Sequence, residues 1–260
     1  MTPLDTAHAA MTAAPEDDAA RLRFYERLAD GEMFLLLESE PEGETLVPQV
    51  FPLEEGSYVL IFDQDERLAE FVGATAPYAA LPGRVIASLL AGQGVGLGVN
   101  LGVAPSSMLI PSDAVDWLAR TLGHAPTELE ARPEEFLAPK GLPEALLTAL
   151  DGKLARAGGL ASTAYLAGVR YEGGRRGHML AFIDTAEGAE GPLARAAAEA
   201  LTFSGIDAGE MDVAFFRAQD PLAAVLARVG LRFDLPQPEQ PSQVAPQPPG
   251  MDPSKPPKLR

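Results

Sequence analysis

The period of the hydrophobic positions changes repeatedly along the chain, and each change marks a predicted element. From residue 19, Leu22, Tyr25 and Leu28 recur on one helical face with Phe24 beside them, and Gly31 closes that helix. Residues 33–38, MFLLLE, are apolar up to Glu38 and predict a buried strand. LVPQVF (46–51) and YVLIFD (58–63) predict two more strands, separated by an acidic turn ending at Gly56. A short helix follows at DERLAEF (65–71), and a longer one at RVIASLLAG (84–92), stopped by Gly92. Then comes GVGLGVNLGV (94–103), inside a run with no charged residue from Val85 to Ser112. Val95, Leu97, Val99, Leu101 and Val103 alternate with Gly94, Gly96, Gly98, Asn100 and Gly102. This is the period of a strand with one apolar and one nearly bare face, and a bare face marks close approach of other atoms to the backbone. MLI (108–110) predicts a short strand. Ser112 starts a helix carrying Val115, Leu118 and Leu122 on one side.

Residues 124–143 shift to Pro and Glu with little periodicity and predict a connection containing one helical turn. The pattern restarts with Leu142, Leu146, Leu150 and Leu154, four apart on an amphipathic helix. STAYLAGVRY (162–171) and RGHMLAFIDT (176–185) flank a Gly-Gly hairpin turn. A helix with Pro192 in its first turn carries Leu193, Ala197 and Leu201. MDVAFF (211–216) predicts a strand, and Asp220-Pro221 opens a helix with Leu222, Val225, Leu226 and Val229 inward. LRFDL (231–235) predicts a last short strand. These elements predict an α+β chain of two small domains, each a mostly antiparallel or mixed sheet with helices on one face. The expected divisions are a flexible arm at 1–18, domains at 19–130 and 142–235 joined by a linker at 131–141, and a disordered Pro-rich tail at 236–260.

Charge and composition narrow the chemistry. The 260 residues carry 37 Asp and Glu against 20 Lys and Arg, a formal net charge of -17. Such a field repels nucleic acid and anionic lipid and favours basic partner surfaces, so the expected partner is a protein with a basic surface, with no nucleic acid and no membrane. The absence of cysteine excludes disulfides, thiolate metal sites and cysteine nucleophiles. Residues 1–20 lack the basic and apolar regions of an export signal, so the expected compartment is the cytoplasm. The glycine run fits neither G-x-G-x-x-G nor G-x-x-x-x-G-K-[ST], and its glycines lie within a strand rather than between strand and helix. DQDE (63–66) reads as a helix start capped by Asp63 or Asp65. His8, His124 and His178 have no metal-ligand spacing, and His178 reads as half-buried in its strand. Glu128, Glu130, Glu134 and Glu135 read as solvated, and no serine sits in a nucleophile elbow. No catalytic, cofactor or metal residue is expected. Gly94, Gly96, Gly98 and Asn100 are the candidate ligand or partner face.

Several of these strings resemble the SseB (enhanced serine sensitivity) family. The N-terminal half is similar to its N-terminal domain through FYERLADGEMFLLLE, YVLIFDQDERLAEF, GLGVNLG with Asn100, and SDAVDWLA. The second half resembles the family's C-terminal domain through AYLAGVRYEG, HMLAFIDT and MDVAFF. Where the family tends to have Asn-Pro after the glycine strand, this chain has Asn100-Leu101. The resemblance implies no catalytic residues. Its family name implies a link to serine or amino-acid metabolism. The expectation is a non-enzymatic cytoplasmic protein-interaction module, with a metabolite sensor on the 94–102 glycine face as the alternative.

Overall fold

The computed structural model describes residues 1–41, 43, 45–54, 56–123, 133–205 and 211–237. His124, Glu128, Glu130 and the tail beyond Gln237 lie outside the described residues. The expected α+β architecture is present as two sheet-containing bodies. In the first, β1 (Glu32–Leu36), β2 (Val50–Leu53), β3 (Gly56–Phe62), β4 (Tyr78–Pro82), β5 (Val95–Val99) and β6 (Met108–Ile110) form one sheet. Its order is β4-β1-β3-β5-β6, with β2 also on β3, and only β3 and β5 run parallel. In the second, β7 (Pro133–Leu137), β8 (Thr163–Tyr171), β9 (Arg176–Ile183), β10 (Met211–Phe216) and β11 (Leu231–Asp234) make a sheet ordered β10-β9-β8-β11, with β7 also on β8. Its one parallel pair is β9 with β10.

The main core of the first body lies where Met33, Leu35, Val59, Ile61, Leu97 and Val99 meet α2 (Asp18–Asp30), α4 (Gly83–Leu90) and α5 (Ser112–Gly123). The second body packs Leu166, Leu180 and Phe182 under α6 (Glu144–Leu154) and α7 (Glu190–Phe203). Each sheet carries one further helix on its other face: α3 (Asp65–Val72) over Leu60 and Phe62, and α8 (Pro221–Val229) over Ala167 and Val169. Among the described residues no helix is long and apolar enough to cross a membrane.

Four segments depart from expectation. Residues 3–13 were expected in a flexible arm and instead form α1 (Pro3–Ala13), which buries Leu4, Asp5 and Ala7. A capping box explains it: the Thr2 side chain accepts from the Asp5 N–H while the Asp5 carboxylate accepts from the Thr2 N–H, behind Pro3 in the first turn. The expected linker contains β7, paired with β8 and anchored by the buried Phe136. β4 occupies a stretch in which no element was expected. β2 begins at Val50 rather than 46, and Pro48 makes only an isolated bridge to Leu37.

The two bodies meet through their helices. Phe203 of α7 is buried in the first body's core. Beside it converge Glu26 and Asp30 of α2, Arg84 of α4, Lys153 of α6, Arg156 just after α6, and Glu199 of α7. The Lys153 ammonium donates to Asp30 and lies 2.8 Å from Glu199, and Arg84 pairs with both of those acids. Arg156 approaches Asp30 to 2.6 Å. Burial pushes the Glu26 carboxyl above the usual range, while the Lys153 charge pulls against it.

Candidate functional site

The candidate site is built on the second face of the first sheet. Strand alternation sends Met33 and Leu35 into the main core and turns Glu32, Phe34 and Leu36 to the other side. The same parity puts Tyr58, Leu60 and Phe62 of β3 on that second face, and Gly96 and Gly98 beside them on β5. The bare glycine face is therefore real, and the chain itself occupies it. A Cβ at Gly96 would sit 2.6 Å from the Tyr58 ring and 2.5 Å from the Ile110 carbonyl oxygen. A Cβ at Gly98 would sit 2.5 Å from Leu60 and 2.8 Å from Leu101. Gly96→Ala is expected to lose ~1–3 kcal/mol by overpacking, read as a lower urea midpoint. An unchanged midpoint would show that Tyr58 and β6 yield freely.

Gly94, Gly96, Gly98 and Asn100 thus do not form one open face. Gly94 is exposed in the turn before β5, and Asn100, at φ 47°, ends the strand. That left-handed turn also folds Leu101 over Gly98, away from the Leu97 and Val99 side where strict alternation put it. Asn100 is fully buried and serves a polar network. Its side-chain oxygen accepts from the Asp63 N–H at 3.1 Å, and its amide donates to Ser106 Oγ at 2.8 Å. Ser106 donates in turn to Asp5 at 2.6 Å. Arg67 grips Asp5 with two N–H groups and Asp63 with one. Asp63 is therefore not the helix cap it was expected to be; Gln64 stands at the start of α3, without a side-chain cap bond. Desolvation raises the Asp5 carboxyl, but the bonds from Arg67 and Ser106 outweigh it and hold Asp5 well below the usual carboxylate range. This network seats α1 across the ends of β3 and β5.

His178 is half-buried as expected, its Nε2 3.2 Å from the Lys140 carbonyl oxygen. His8 lies on α1, edge-on to Phe24. Glu134 and Glu135 are on β7, where both approach Arg170.

The feature that single-segment reading missed is a row of aromatic rings. Tyr78 meets Phe34 edge-on at 5.5 Å, Phe34 stands opposite Phe62 in register, and Phe62 meets Phe71 of α3 at 5.4 Å. The row crosses β4, β1 and β3 and ends on the helix. Only its ends are open to solvent, Tyr78 at 44% and Phe71 at 38%, while Phe34 is half-buried and Phe62 between them is fully buried. Exposed Glu32 shares its face of β1, and exposed Glu70 precedes Phe71. Residues 31–83 contain eleven Asp and Glu against a single Arg, and that residue is Arg67, already held by Asp5 and Asp63. The row is therefore an apolar aromatic strip in a strongly negative field, chemistry that suits a cationic, apolar-edged partner. Its signals, aromatics at 34, 62, 71 and 78, are present in the sequence; their adjacency comes from strand order and register.

Residues 7–117 match the family described as SseB protein N-terminal domain. The match holds α2 through β6, most of α1, the first half of α5, the aromatic row, and Arg67, Asn100 and Ser106, whereas Thr2 and Asp5 precede it. No curated protein and no solved structure matches the chain significantly.

Proposed function

We propose, from the premise that the chain belongs to the SseB family through its N-terminal domain, that it is a non-enzymatic module that binds a basic protein partner. The observation that carries this reading is the pair of exposed aromatic ends, Tyr78 beside half-buried Phe34 and Phe71 on α3, joined through buried Phe62 within a segment of eleven acids and one base. Exposed aromatics anchor interfaces because they remove much apolar area from water at little entropic cost. The surrounding acids steer a basic surface toward them and set its orientation. The cytoplasmic setting and the link to amino-acid metabolism belong to this reading, the latter through the family's name. The glycine face supports it indirectly: with Tyr58, Leu60 and Leu101 packed on Gly96 and Gly98, a metabolite has no bare strand to lie on.

The test uses tagged full-length protein and two surface variants. Tyr78→Lys places a cation at the open end of the row. Leu222→Lys makes the same change at an exposed position on α8. A stoichiometric basic partner is expected with the unchanged protein and with Leu222→Lys, lost with Tyr78→Lys, and weakened as salt rises. Equal capture by both variants would remove the row from the interface and end the reading.

A further inference from the structure

The sequence offers an occupant for this row within the same chain. Residues 253–260 read Pro-Ser-Lys-Pro-Pro-Lys-Leu-Arg, with three cations and no acid. A polyproline II helix repeats every three residues. In that conformation Pro253, Pro256 and Leu259 fall on one edge, Lys255 and Lys258 on the next. The sequence therefore makes an apolar ridge beside a cationic one. Aromatic-lined surfaces recognise Pro-rich segments in this form, since the segment loses little entropy on binding and its rings pack on aromatic faces. The row supplies the complementary pattern: Tyr78, Phe34 and Phe71 for the apolar ridge, Glu32 and Glu70 for the cations.

Resting on the binding-module reading, we propose that residues 253–260 dock intramolecularly on the aromatic row of the first sheet and that external partners compete with them for it. Length permits this. The described chain ends at Gln237, whose side chain donates to the Ala161 and Ser162 carbonyls of the second body. The 23 residues from 238 to 260 extend up to about 70 Å at ~3.1 Å per residue. A compact body of the described length has a radius of gyration of roughly 18 Å. Charge drives the encounter, because residues 253–260 carry three cations without an acid and the segment they would meet is strongly acidic. The docked segment then acts as a tethered competitor at high effective concentration, which raises the affinity a partner needs.

The chain has no cysteine, so Ser254→Cys gives a single attachment point for a nitroxide, on neither ridge. Amide NMR signals of the full-length labelled protein report where the label resides. Strong signal loss is expected at Glu32, Phe34, Phe71 and Tyr78, absent from α8, relieved by high salt, and abolished by Tyr78→Lys or by the exposed Glu70→Lys. Even loss over the surface, or loss centred elsewhere, overturns the proposal. Mixing labelled protein with isotope-enriched unlabelled protein separates one further case: loss seen only across molecules gives the row to a second copy and overturns the intramolecular seat. If no local loss occurs while Tyr78→Lys still abolishes partner capture, the tail proposal falls and the binding module stands. If Tyr78→Lys alters neither, both fall.

Discussion

Lys153→Ala is expected to destabilise the protein by about 3–5 kcal/mol, the range for removing one partner from a buried ion pair. Lys153 is 6% exposed, and its ammonium stands among Asp30, Glu199 and Glu26, the last at 3.9 Å. Three acids and three bases balance in this cluster, but they are not equivalent. Arg84 and Arg156 keep 36% and 49% of their side chains in solvent, while all three acids are nearly buried. Only Lys153 supplies positive charge from within. Its loss leaves three carboxylates in a dry site, with two rim cations that water screens. The ammonium also lies 5.7 Å from the Phe203 ring centroid, so alanine forfeits a cation–π contact at the seam between the bodies. Arg156→Ala, by contrast, should cost under about 1 kcal/mol, as exposed pairs do. Urea unfolding of the two variants is the measurement, and two small, equal costs would defeat the argument. The pH dependence has a definite sign. Glu26 has a raised folded pKa, so it binds a proton more readily folded than unfolded, and its burial penalty grows as pH rises above the ordinary glutamate range. Removing Lys153 strengthens that tendency. The variant should therefore recover part of its deficit in mild acid.

That cluster also shows what a sequence hides. Glu26 and Asp30 lie four apart on α2 and read, alone, as part of a solvated helix face. They become an interface because α6 and α7 bring Lys153 and Glu199 from more than a hundred residues away. Local patterns carried the rest well. The alternation around Gly96 and Gly98 identified β5, and its bare face does mark close packing. The leucines at 146, 150 and 154 identified α6 and are buried on it. β4 escaped notice because it is a five-residue edge strand, Tyr-Ala-Ala-Leu-Pro, with two alanines at its centre and Pro82 at its end. β7 was hidden by prolines and glutamates, although Phe136 packs inward. The signal for α1 was legible: Thr2-Pro3-Leu4-Asp5 carries a capping residue, a first-turn proline and an acid in the reciprocal position. Alanine-rich composition outweighed it. The aromatic row could not be read at all, because Tyr78, Phe34 and Phe62 become neighbours only once β4-β1-β3 is fixed.

Arg67→Ala should have an effect of similar size at the other end of the first body, about 3–5 kcal/mol at neutral pH. Arg67 is 12% exposed and Asp5 only 1%. Alanine would leave Asp5 with Ser106 and the Thr2 N–H, and Asp63 with the Thr2 hydroxyl and no charged partner. The two carboxylates would then face each other across the space the guanidinium filled. The local consequence is release of α1, since Asp5 is its polar anchor and Leu4 and Ala7 are its buried contacts. Amide hydrogen exchange over residues 3–13 should therefore accelerate more than exchange in β8 or β9. Acid supplies the sign. In the unchanged protein the folded Asp5 pKa is depressed, so its contribution is complete above the ordinary aspartate value near 3.9 and fades as pH falls toward the folded value. The variant lacks most of that depression. Its deficit should be largest at neutral pH and should shrink below about pH 4, as the unchanged protein loses the same advantage. A deficit that stays constant from pH 7 to about pH 3 would place the cost in lost packing of the arginine stem rather than in the carboxylate it holds.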